Sequence, residues 1–270
     1  MAVLVVASTK DRAGINIADK LIKNYGFKET ERKFEQMSVY RSQNVFLAYT
    51  NTDSIHASHL EEDFSVDAIF FASKHESESK KPTLTVHTPG NLTGQAIYGG
   101  RPRTLAFASP QRMKAALTSL YASTEKRGLG YSVSLEATHH GPTEISVPVT
   151  FVEIGSSMDR WVDDEAGAVV AKAIWEASKK PVESVSAVGF GGGHYAKKHT
   201  ELVLESDVAV GHLMPKYAMQ DLNAETVKMM LAKTWGGCEL AVLERNGMRG
   251  DDRRKLLKIL DPLDVKIEQI

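Results

Sequence analysis

The sequence predicts a single α/β domain over residues 1–270, with a mostly parallel mixed sheet flanked by helices. Short apolar runs typical of buried strands recur along the chain. They alternate with helical stretches of roughly 10–20 residues, an arrangement that favours parallel strand pairing. The 270 residues contain no internal repeat, low-complexity tract or clear linker. The stretch 99–103, rich in glycine and proline, is interpreted as a loop inserted into this domain.

In the N-terminal part of the sequence, we predict five strands and one helix. Val3–Ala7 is an uninterrupted apolar run, and residues that can cap a helix follow it from Ser8 to Asp11. Apolar side chains then recur at helical spacing until Gly26. The other predicted strands are Met37–Arg41 and Val45–Thr50, which form a hairpin, then Val66–Ala72 and Thr83–His87.

The C-terminal part continues the alternation of strands and helices. Ser109 and Pro110 supply a cap and an N1 proline for a helix that Gly128 ends. A second long helix is predicted from about Asp159 to Ser178. The predicted strands are Tyr131–Thr138, Val147–Ile154, Ser184–Phe190, Val208–His212, Glu239–Leu243 and Val265–Ile270. The shorter predicted helices are Glu201–Glu205, Ala224–Thr234 and Gly250–Leu260.

Composition excludes several classes of protein. Hydrophobic residues make up 42% and charged residues 25%, which is ordinary for a globular protein. The net charge of −1 argues against a broadly basic nucleic-acid binder, but it leaves room for a local basic patch. The single cysteine, Cys238, permits no internal disulfide, and we interpret it as structural. No apolar run approaches the ~20 residues that span a bilayer, and the N-terminus lacks a signal-peptide pattern. A cytoplasmic protein is therefore expected, and we expect it to be a monomer.

Three segments centred on histidine are the main functional signal. They are residues 87–91, 137–143 and 191–200, and they hold five of the nine histidines. Each follows a predicted strand and then breaks into Gly, Pro or Asn. Because loops that leave strand ends form the ligand crevice of α/β sheets, we expect one histidine-rich cleft at the carboxyl edge of the strands.

The adjacent pair His139 and His140 is the sharpest of these signals. Gly141 and Pro142 end the strand, so one or both rings can turn toward the crevice. A neutral imidazole suits Zn²⁺, and it also suits a general base near pH 7. The alternative is a surface histidine pair that caps a turn.

The segment 191–200 combines three glycines with two histidines and two lysines. Glycines allow close backbone approach and can present N–H groups to an anion, and the adjacent lysines add positive charge. The pattern lacks the third glycine of a dinucleotide fingerprint. The alternative is a flexible loop with solvated lysines. These candidate residues are Gly191, Gly192, Gly193, His194, Lys197, Lys198 and His199.

Other polar residues are weaker candidates. His87 and Asn91 flank a Pro-Gly turn. Glu153 lies in a buried-type strand, where a carboxylate needs a partner, and it can orient a histidine, ligate a metal or form a structural ion pair. His212 is interpreted as a core histidine, and His75 stays ambiguous. His56 and His59 are expected on the surface.

The three histidine segments together resemble those of the archaeal- and plant-type D-aminoacyl-tRNA deacylases, and the resemblance extends from the first strand to the strand at Glu239. It implies a zinc-associated hydrolase that cuts the ester between a D-amino acid and the tRNA 3′ end. It also implies a fold related to those of peptidyl-tRNA hydrolases and nucleoside phosphorylases. The absence of a phosphate-binding loop and of a Gly-x-Ser-x-Gly elbow is compatible with direct attack by water. A metallopeptidase, a nucleoside phosphorylase and a non-catalytic tRNA-binding protein remain alternatives.

These inferences assign roles to individual residues. We expect His139, His140 and His87 to be catalytic. His140, Glu153, His194 and His199 are the expected metal ligands. The expected substrate-binding residues are Asn91, Thr143, Gly191, Gly192, Gly193, Lys197 and Lys198. Basic side chains expected to contact tRNA phosphates are Arg101, Arg103, Arg112 and Lys114, with a second possible patch at Arg245, Arg249, Arg253, Arg254 and Lys255.

Overall fold

The computed structural model describes residues 2–179 and 181–270, and a mixed sheet of eight strands dominates it. The strand order is β2-β3-β4-β1-β5-β10-β6-β9. Four of its seven strand pairs are parallel, and β2–β3, β3–β4 and β10–β6 are antiparallel. The strands are β1 (Val3–Ser8), β2 (Lys28–Phe34), β3 (Met37–Ser42), β4 (Val45–Thr50), β5 (Ala68–Glu76), β6 (Thr83–His87), β9 (Ser132–Leu135) and β10 (Val149–Ser156).

A second sheet of four strands is wholly parallel, in the order β12-β11-β13-β14. Its strands are β11 (Val185–Phe190), β12 (Val208–Met214), β13 (Leu240–Leu243) and β14 (Lys266–Gln269). A short hairpin pairs β7 (Gly90–Asn91) with β8 (Thr104–Leu105). The predicted α/β class, with a large, mostly parallel sheet flanked by helices, is confirmed, and the strands are shared between two sheets.

Eight helices accompany the sheets in the described residues. They are α1 (Arg12–Asn24), α2 (Leu60–Asp63), α3 (Pro110–Arg127), α4 (Met158–Trp161), α5 (Asp164–Lys179), α6 (Lys197–Glu205), α7 (Ala224–Ala232) and α8 (Gly250–Leu260). Helix α3 contacts both α5 and β12, so it lies between the two sheets. One apolar cluster accordingly includes Val5 of β1, Leu117 of α3 and Val210 of β12. This shared core supports the prediction of one domain over residues 1–270, which stays a prediction.

Three of the differences between the structure and the sequence-based elements have a clear physical reason. Strand β2 was not predicted, because it is an edge strand whose side chains are mostly charged and exposed. The helix predicted from Asp159 to Ser178 is two helices, since the Asp163 carboxylate accepts from the amides of Glu165 and Ala166 and starts a new helix. Helix α6 begins four residues before Glu201, at Lys197, and it therefore includes His199.

Candidate functional site

The main chains of the three histidine segments are hydrogen-bonded to one another. The Gly90 amide donates to the carbonyl of His139 at 3.1 Å, and the Ala137 amide donates to the carbonyl of His194 at 2.8 Å. Glu136 also forms an isolated antiparallel bridge with Tyr195. Segment 136–140 therefore lies between the other two, and these bonds fix how their side chains converge.

Four of the five predicted histidines meet in one cluster. The ring of His139 lies 4.3 Å from the rings of both His87 and His140, and 4.6 Å from that of His194, measured between ring centres. His140 has a φ of +46°, a left-handed conformation that is uncommon outside glycine and that occurs at functional sites. His199 lies elsewhere, buried in α6.

The cluster rests on a face of the large sheet, next to the carboxyl ends of β5 and β6, whereas we expected all of the carboxyl ends at one edge. Because β6 runs antiparallel to β10, their carboxyl ends point in opposite directions. In their register Phe151 lies opposite His87, and Glu153 lies opposite Thr85, so Glu153 and His87 are diagonal neighbours on one face. Stacking of His87 on Phe151, 5.2 Å between ring centres, continues the apolar layer of this face.

Two buried carboxylates hold the imidazoles together. Glu136, 1% exposed, places its carboxylate 3.1 Å from Nδ1 of His75 and 3.3 Å from Nε2 of His194. Glu153, 2% exposed, lies 3.6 Å from Nδ1 of His75 and 3.7 Å from Nε2 of His87. The site thus contains two negative charges surrounded by five imidazoles.

Sequence reasoning missed Glu136 and left His75 undecided. Glu136 directly precedes the segment 137–143, and its position at the end of an alternating strand was the available signal. His75 comes at the end of β5, beside Gly155 of β10. A Cβ on Gly155 would lie 3.0 Å from Cδ2 of His75 and 2.3 Å from Oγ1 of Thr83, so glycine allows this close approach. His75 also hydrogen-bonds the hydroxyl of Tyr195 through Nε2 at 2.8 Å.

Backbone carbonyls set the tautomers of the adjacent histidines. Nδ1 of His139 lies 2.8 Å from the carbonyl of Ala137, and Nδ1 of His140 lies 2.7 Å from the carbonyl of Gly141. A carbonyl can only accept, so each neutral ring carries its proton on Nδ1. Both Nε2 atoms are then left with a free lone pair.

Burial and charge separate the pKa values in the cluster. Burial lowers the pKa of His140 to about 3, and burial with the neighbouring imidazoles lowers that of His139 well below its usual value. Burial alone would also lower the pKa of His75, but hydrogen bonding to Glu153 and the charges of Glu136 and Glu153 outweigh it and raise the value to about 9. The same partners raise the pKa of His87 despite its burial.

The donor atoms fit a metal ion. Three groups place their ligand atoms within 4.8 Å of one another: His87, His139 and His140; His75, Glu136 and His194; His87, Glu136 and Glu153. Both carboxylate oxygens of Glu136 and both nitrogens of His87 are buried and make no well-aligned hydrogen bond. Such atoms are costly to bury unless a cation or a donor satisfies them.

A cavity of about 550 Å³ opens over the cluster, and we call it the histidine cavity. Its wall includes His75, His139, His140, Glu153 and His194. Its mouth lies at the carboxyl ends of β1 and β5, where Lys10 and Lys74 line it, and Tyr98 borders it from a surface loop. The volume lies within the ~300–1,000 Å³ that is typical of small-molecule sites.

Asn91 and Thr143 hold the loop that carries Tyr98. The side-chain amide of Asn91 donates to the carbonyls of Gly99 and Arg101, at 2.8 and 3.2 Å. The Thr143 hydroxyl accepts from the Arg101 amide at 2.9 Å. Both residues are buried, so in this structure their polar atoms face the loop and not the cavity.

The glycines after β11 border a second cavity. Gly192 and Gly193 line this space of about 740 Å³ together with Lys216, Tyr217, Glu244 and other residues, and we call it the glycine-loop cavity. The Gly191 and Gly192 amides donate to the carbonyls of Met214 and Gly247, at 2.9 and 3.0 Å. The expectation that this loop presents its N–H groups to the ester therefore does not hold for these two residues.

The basic residues divide into exposed and buried ones. Lys197 and Lys198 are exposed in the first turn of α6, and Lys198 pairs with Glu201 at 2.8 Å. Arg101 pairs with Glu144, and Arg103 pairs with Asp221. Their side chains are 72% and 52% exposed, so both can reach a ligand.

The expectation that Arg112 and Lys114 contact tRNA is wrong. Arg112 is 5% exposed and donates to the carbonyls of Ala177 and Ser178 at the end of α5. Lys114, 8% exposed, donates to the carbonyls of Val203 and Ser206 at the end of α6 and to that of Val208 at the start of β12. Their charges satisfy the unpaired carbonyls of helix ends, where cations are favoured.

In the second basic patch, Arg254 pairs with Asp251, and Arg253 donates to the carbonyl of Arg245 at 3.4 Å. Arg249 lines the glycine-loop cavity. The patch is therefore partly neutralised, and Arg249 is its member nearest to a cavity. Among the described residues, no helix combines the length and apolar character needed to cross a bilayer.

Comparison with known proteins identifies the family of this chain. A family model described as D-aminoacyl-tRNA deacylase matches residues 62–268. The D-aminoacyl-tRNA deacylase of Pyrococcus furiosus is 39% identical, covering 97% of this chain and 98% of the relative. That of Pyrococcus abyssi is 41% identical, covering 93% of each. A solved structure of a conserved protein of unknown function superposes with a TM-score of 0.91 at 33% identity, covering 99% of this chain and 95% of that one. The chain therefore belongs to the D-aminoacyl-tRNA deacylase family.

Proposed function

We propose that this protein hydrolyses the ester bond of D-aminoacyl-tRNA, releasing the D-amino acid and the tRNA, at the histidine cavity. Family membership supports the reaction. The observation that carries the location is the pair of buried carboxylates, Glu136 and Glu153, surrounded by five imidazoles beneath an open cavity. We propose that the protein acts as a cytoplasmic monomer.

The donor set favours zinc, because imidazole nitrogens and carboxylate oxygens are its common ligands in catalytic sites. His140 would bind zinc with His87 and His139, close to Glu153, whereas binding by His194 with His75 and Glu136 would occupy His75 and leave it no proton to donate. Zinc held there would lower the pKa of a water ligand to ~7 and so would supply a nucleophile at neutral pH. His199 is not part of this ligand set, since α6 holds it away from the cluster.

The imidazoles have different tasks because their pKa values differ. His139 and His140, with lowered pKa values, stay neutral at pH 7 and present Nε2 as a lone-pair donor. Their low basicity favours binding a cation over taking a proton. His75, with a pKa of about 9, is protonated at neutral pH and can donate. Its hydrogen bond to the Tyr195 hydroxyl extends this proton path.

The reaction needs few other groups. An aminoacyl ester is already activated, so attack by water requires positioning, charge stabilisation, loss of a proton from the water, which bound zinc would favour, and a proton for the leaving 3′ oxygen. We assign charge stabilisation to the region of His87, His139 and His140, and proton donation to His75. Asn91 and Thr143 contribute by holding the Tyr98 loop at the mouth. Lys197 and Lys198, both exposed, contact tRNA phosphates.

The test compares D- and L-aminoacyl-tRNA as substrates, with and without a chelator, and measures zinc in the purified protein. We expect hydrolysis of the D-ester, its loss on chelation, and its return when zinc is added. Peptides, and nucleosides with phosphate, serve as alternative substrates. Turnover of either of these without ester hydrolysis would replace the proposed function by a peptidase or a phosphorylase.

A matched pair of variants tests the location of the site. Glu136→Gln removes a carboxylate from the cluster, whereas Glu35→Gln removes one that pairs with His59, at 2.8 Å, outside the cluster. Hydrolysis and zinc content should fall only in Glu136→Gln. Equal activity of the two variants would exclude Glu136 from the site.

A further inference from the structure

We propose that the glycine-loop cavity binds the nucleotide that precedes the 3′-terminal adenosine of tRNA, as a second subsite next to the ester. This inference rests on the proposed function, since it extends the substrate of the same site. The cavity measures about 740 Å³, which lies within the ~300–1,000 Å³ of ligand pockets.

The position of this cavity is one at which parallel sheets bind ligands. Strand β11 pairs with β12 on one side and with β13 on the other, and all three run parallel. The chain passes from β11 to β12 and then crosses to β13, so the strand order reverses beside β11. Ligands of open α/β sheets bind outside the carboxyl ends of the strands at such a reversal. Gly192 follows β11 and Glu244 follows β13, and both line the cavity.

The two cavities adjoin at one side-chain contact. His194 lines the histidine cavity, and its Nδ1 lies 3.4 Å from the hydroxyl of Tyr217, which lines the glycine-loop cavity. A nucleotide chain whose 3′-terminal ester lies at the cluster can therefore continue past Tyr217 into the glycine-loop cavity. This continuity is what favours a segment of the substrate over an unrelated ligand.

The lining has the chemistry of a nucleotide site. Lys216 and Arg249 are exposed, and within residues 2–179 and 181–270 neither side chain has an ion-pair partner, so both are available to a phosphate. Tyr217 is 56% exposed and offers a ring face on which a base can stack, the usual way of holding single-stranded RNA.

The lining of the glycine-loop cavity also contains hydrogen-bond acceptors. The Glu244 carboxylate faces Gly192, whose φ is +79° and whose Cβ, if present, would lie 2.5 Å from Oε2 of Glu244. Glycine thus keeps this carboxylate accessible in the cavity. A carboxylate accepts from a ribose hydroxyl or a base amino group, and the amide of Gln220 can donate or accept beside it. The cavity therefore offers partners for the phosphate, the sugar and the base.

The test is a binding cycle with uncharged tRNA and the full chain. One partner changes from tRNA lacking only its last nucleotide to tRNA lacking its last two, and the other from wild type to Lys216→Ala with Arg249→Ala. Wild type should bind the tRNA that lacks only its last nucleotide about tenfold more tightly, or ~1.4 kcal/mol. The double variant should show a preference of about twofold or less, because both changes remove the same interaction.

The control variant is Lys28→Ala with Lys126→Ala, which removes two exposed charges that line neither cavity. It should keep the tenfold preference. If the double variant at Lys216 and Arg249 also keeps it, or if wild type shows no preference, the subsite is overturned. The deacylation assay tests the proposed function separately from the subsite. If the binding cycle gives the expected result but the D-ester is not hydrolysed, the subsite is supported and the proposed function is overturned.

Discussion

The carboxylate of Glu136 lies 3.3 Å from Nε2 of His194, although the two residues belong to different sheets of the chain's fold, Glu136 just after β9 and His194 after β11. The contact exists because the main chain of segment 136–140 pairs with that of segment 194–196. The candidate active site is therefore built at the junction of the two sheets. Any change that loosens this junction is expected to affect metal binding and hydrolysis together.

Replacing His139 or His140 with alanine should strongly reduce hydrolysis. Both rings line the cavity and leave Nε2 with a free lone pair, and loss of an acid–base or charge-stabilising group typically costs ~10²–10⁴ in rate. Single-turnover hydrolysis of D-aminoacyl-tRNA at saturating enzyme measures the chemical step. Zinc content should fall in parallel. Full rates in both variants would make this pair structural.

His199→Gln should leave zinc content and hydrolysis close to wild type, because α6 holds His199 outside the cluster. Its ring is fully buried, and neither nitrogen makes a well-aligned hydrogen bond. The amide of glutamine replaces a polar group of similar size, so the fold should persist. Metal analysis and the single-turnover rate check this prediction, and a loss of zinc would return His199 to the ligand set.

Acid should destabilise the protein through its buried neutral histidines. Burial lowers the pKa of His199 and of His212 to about 4, below the ~6.5 of an exposed histidine. The unfolded chain therefore binds more protons than the folded one between those values, and the free energy of unfolding falls as the pH drops from about 6.5 to 4. Urea titrations at several pH values should show a shallower pH dependence for His199→Gln. An unchanged pH dependence in this variant would contradict the contribution of His199 to acid destabilisation.

Asn91→Asp should free the loop that carries Tyr98. The substitution keeps the size of the side chain but removes the two N–H donors that hold the carbonyls of Gly99 and Arg101. We expect faster proteolysis within residues 93–103 and a higher KM for D-aminoacyl-tRNA, since Tyr98 borders the cavity mouth. Limited proteolysis followed by mass spectrometry locates the cut. Wild-type resistance to protease would show that other contacts hold the loop.

Lys197→Ala with Lys198→Ala should weaken tRNA binding by severalfold and reduce its salt dependence, with little change in stability, since both side chains are exposed. Lys114→Met should behave in the opposite way. It removes a buried cation from two carbonyls at the end of α6 and one at the start of β12, and should cost ~1–3 kcal/mol of stability. Binding titrations at several salt concentrations and thermal melts separate the two effects. An unchanged salt slope would remove Lys197 and Lys198 from the interface.

Local pattern was sufficient for most of the fold. Apolar runs identified strands such as β1 and β5, because a strand buried on both faces must be apolar, and Asp11 and Gly26 marked the limits of the first helix. The charged edge strand β2 and the break at Asp163 were missed, because one depends on a neighbouring strand and the other on a single capping carboxylate.

The sequence by itself determined the α/β class, the three histidine segments and the family they resemble. Only the tertiary structure decided which histidines meet: it excludes His199, adds His75 and Glu136, and buries Lys114 at a helix end. The physical reason is that the direction of a strand and the first residue of a helix depend on contacts between residues that are distant in the sequence. Because β6 and β10 pair antiparallel, the cluster lies on a sheet face. Because α6 begins at Lys197, His199 lies within this helix and is buried in the core.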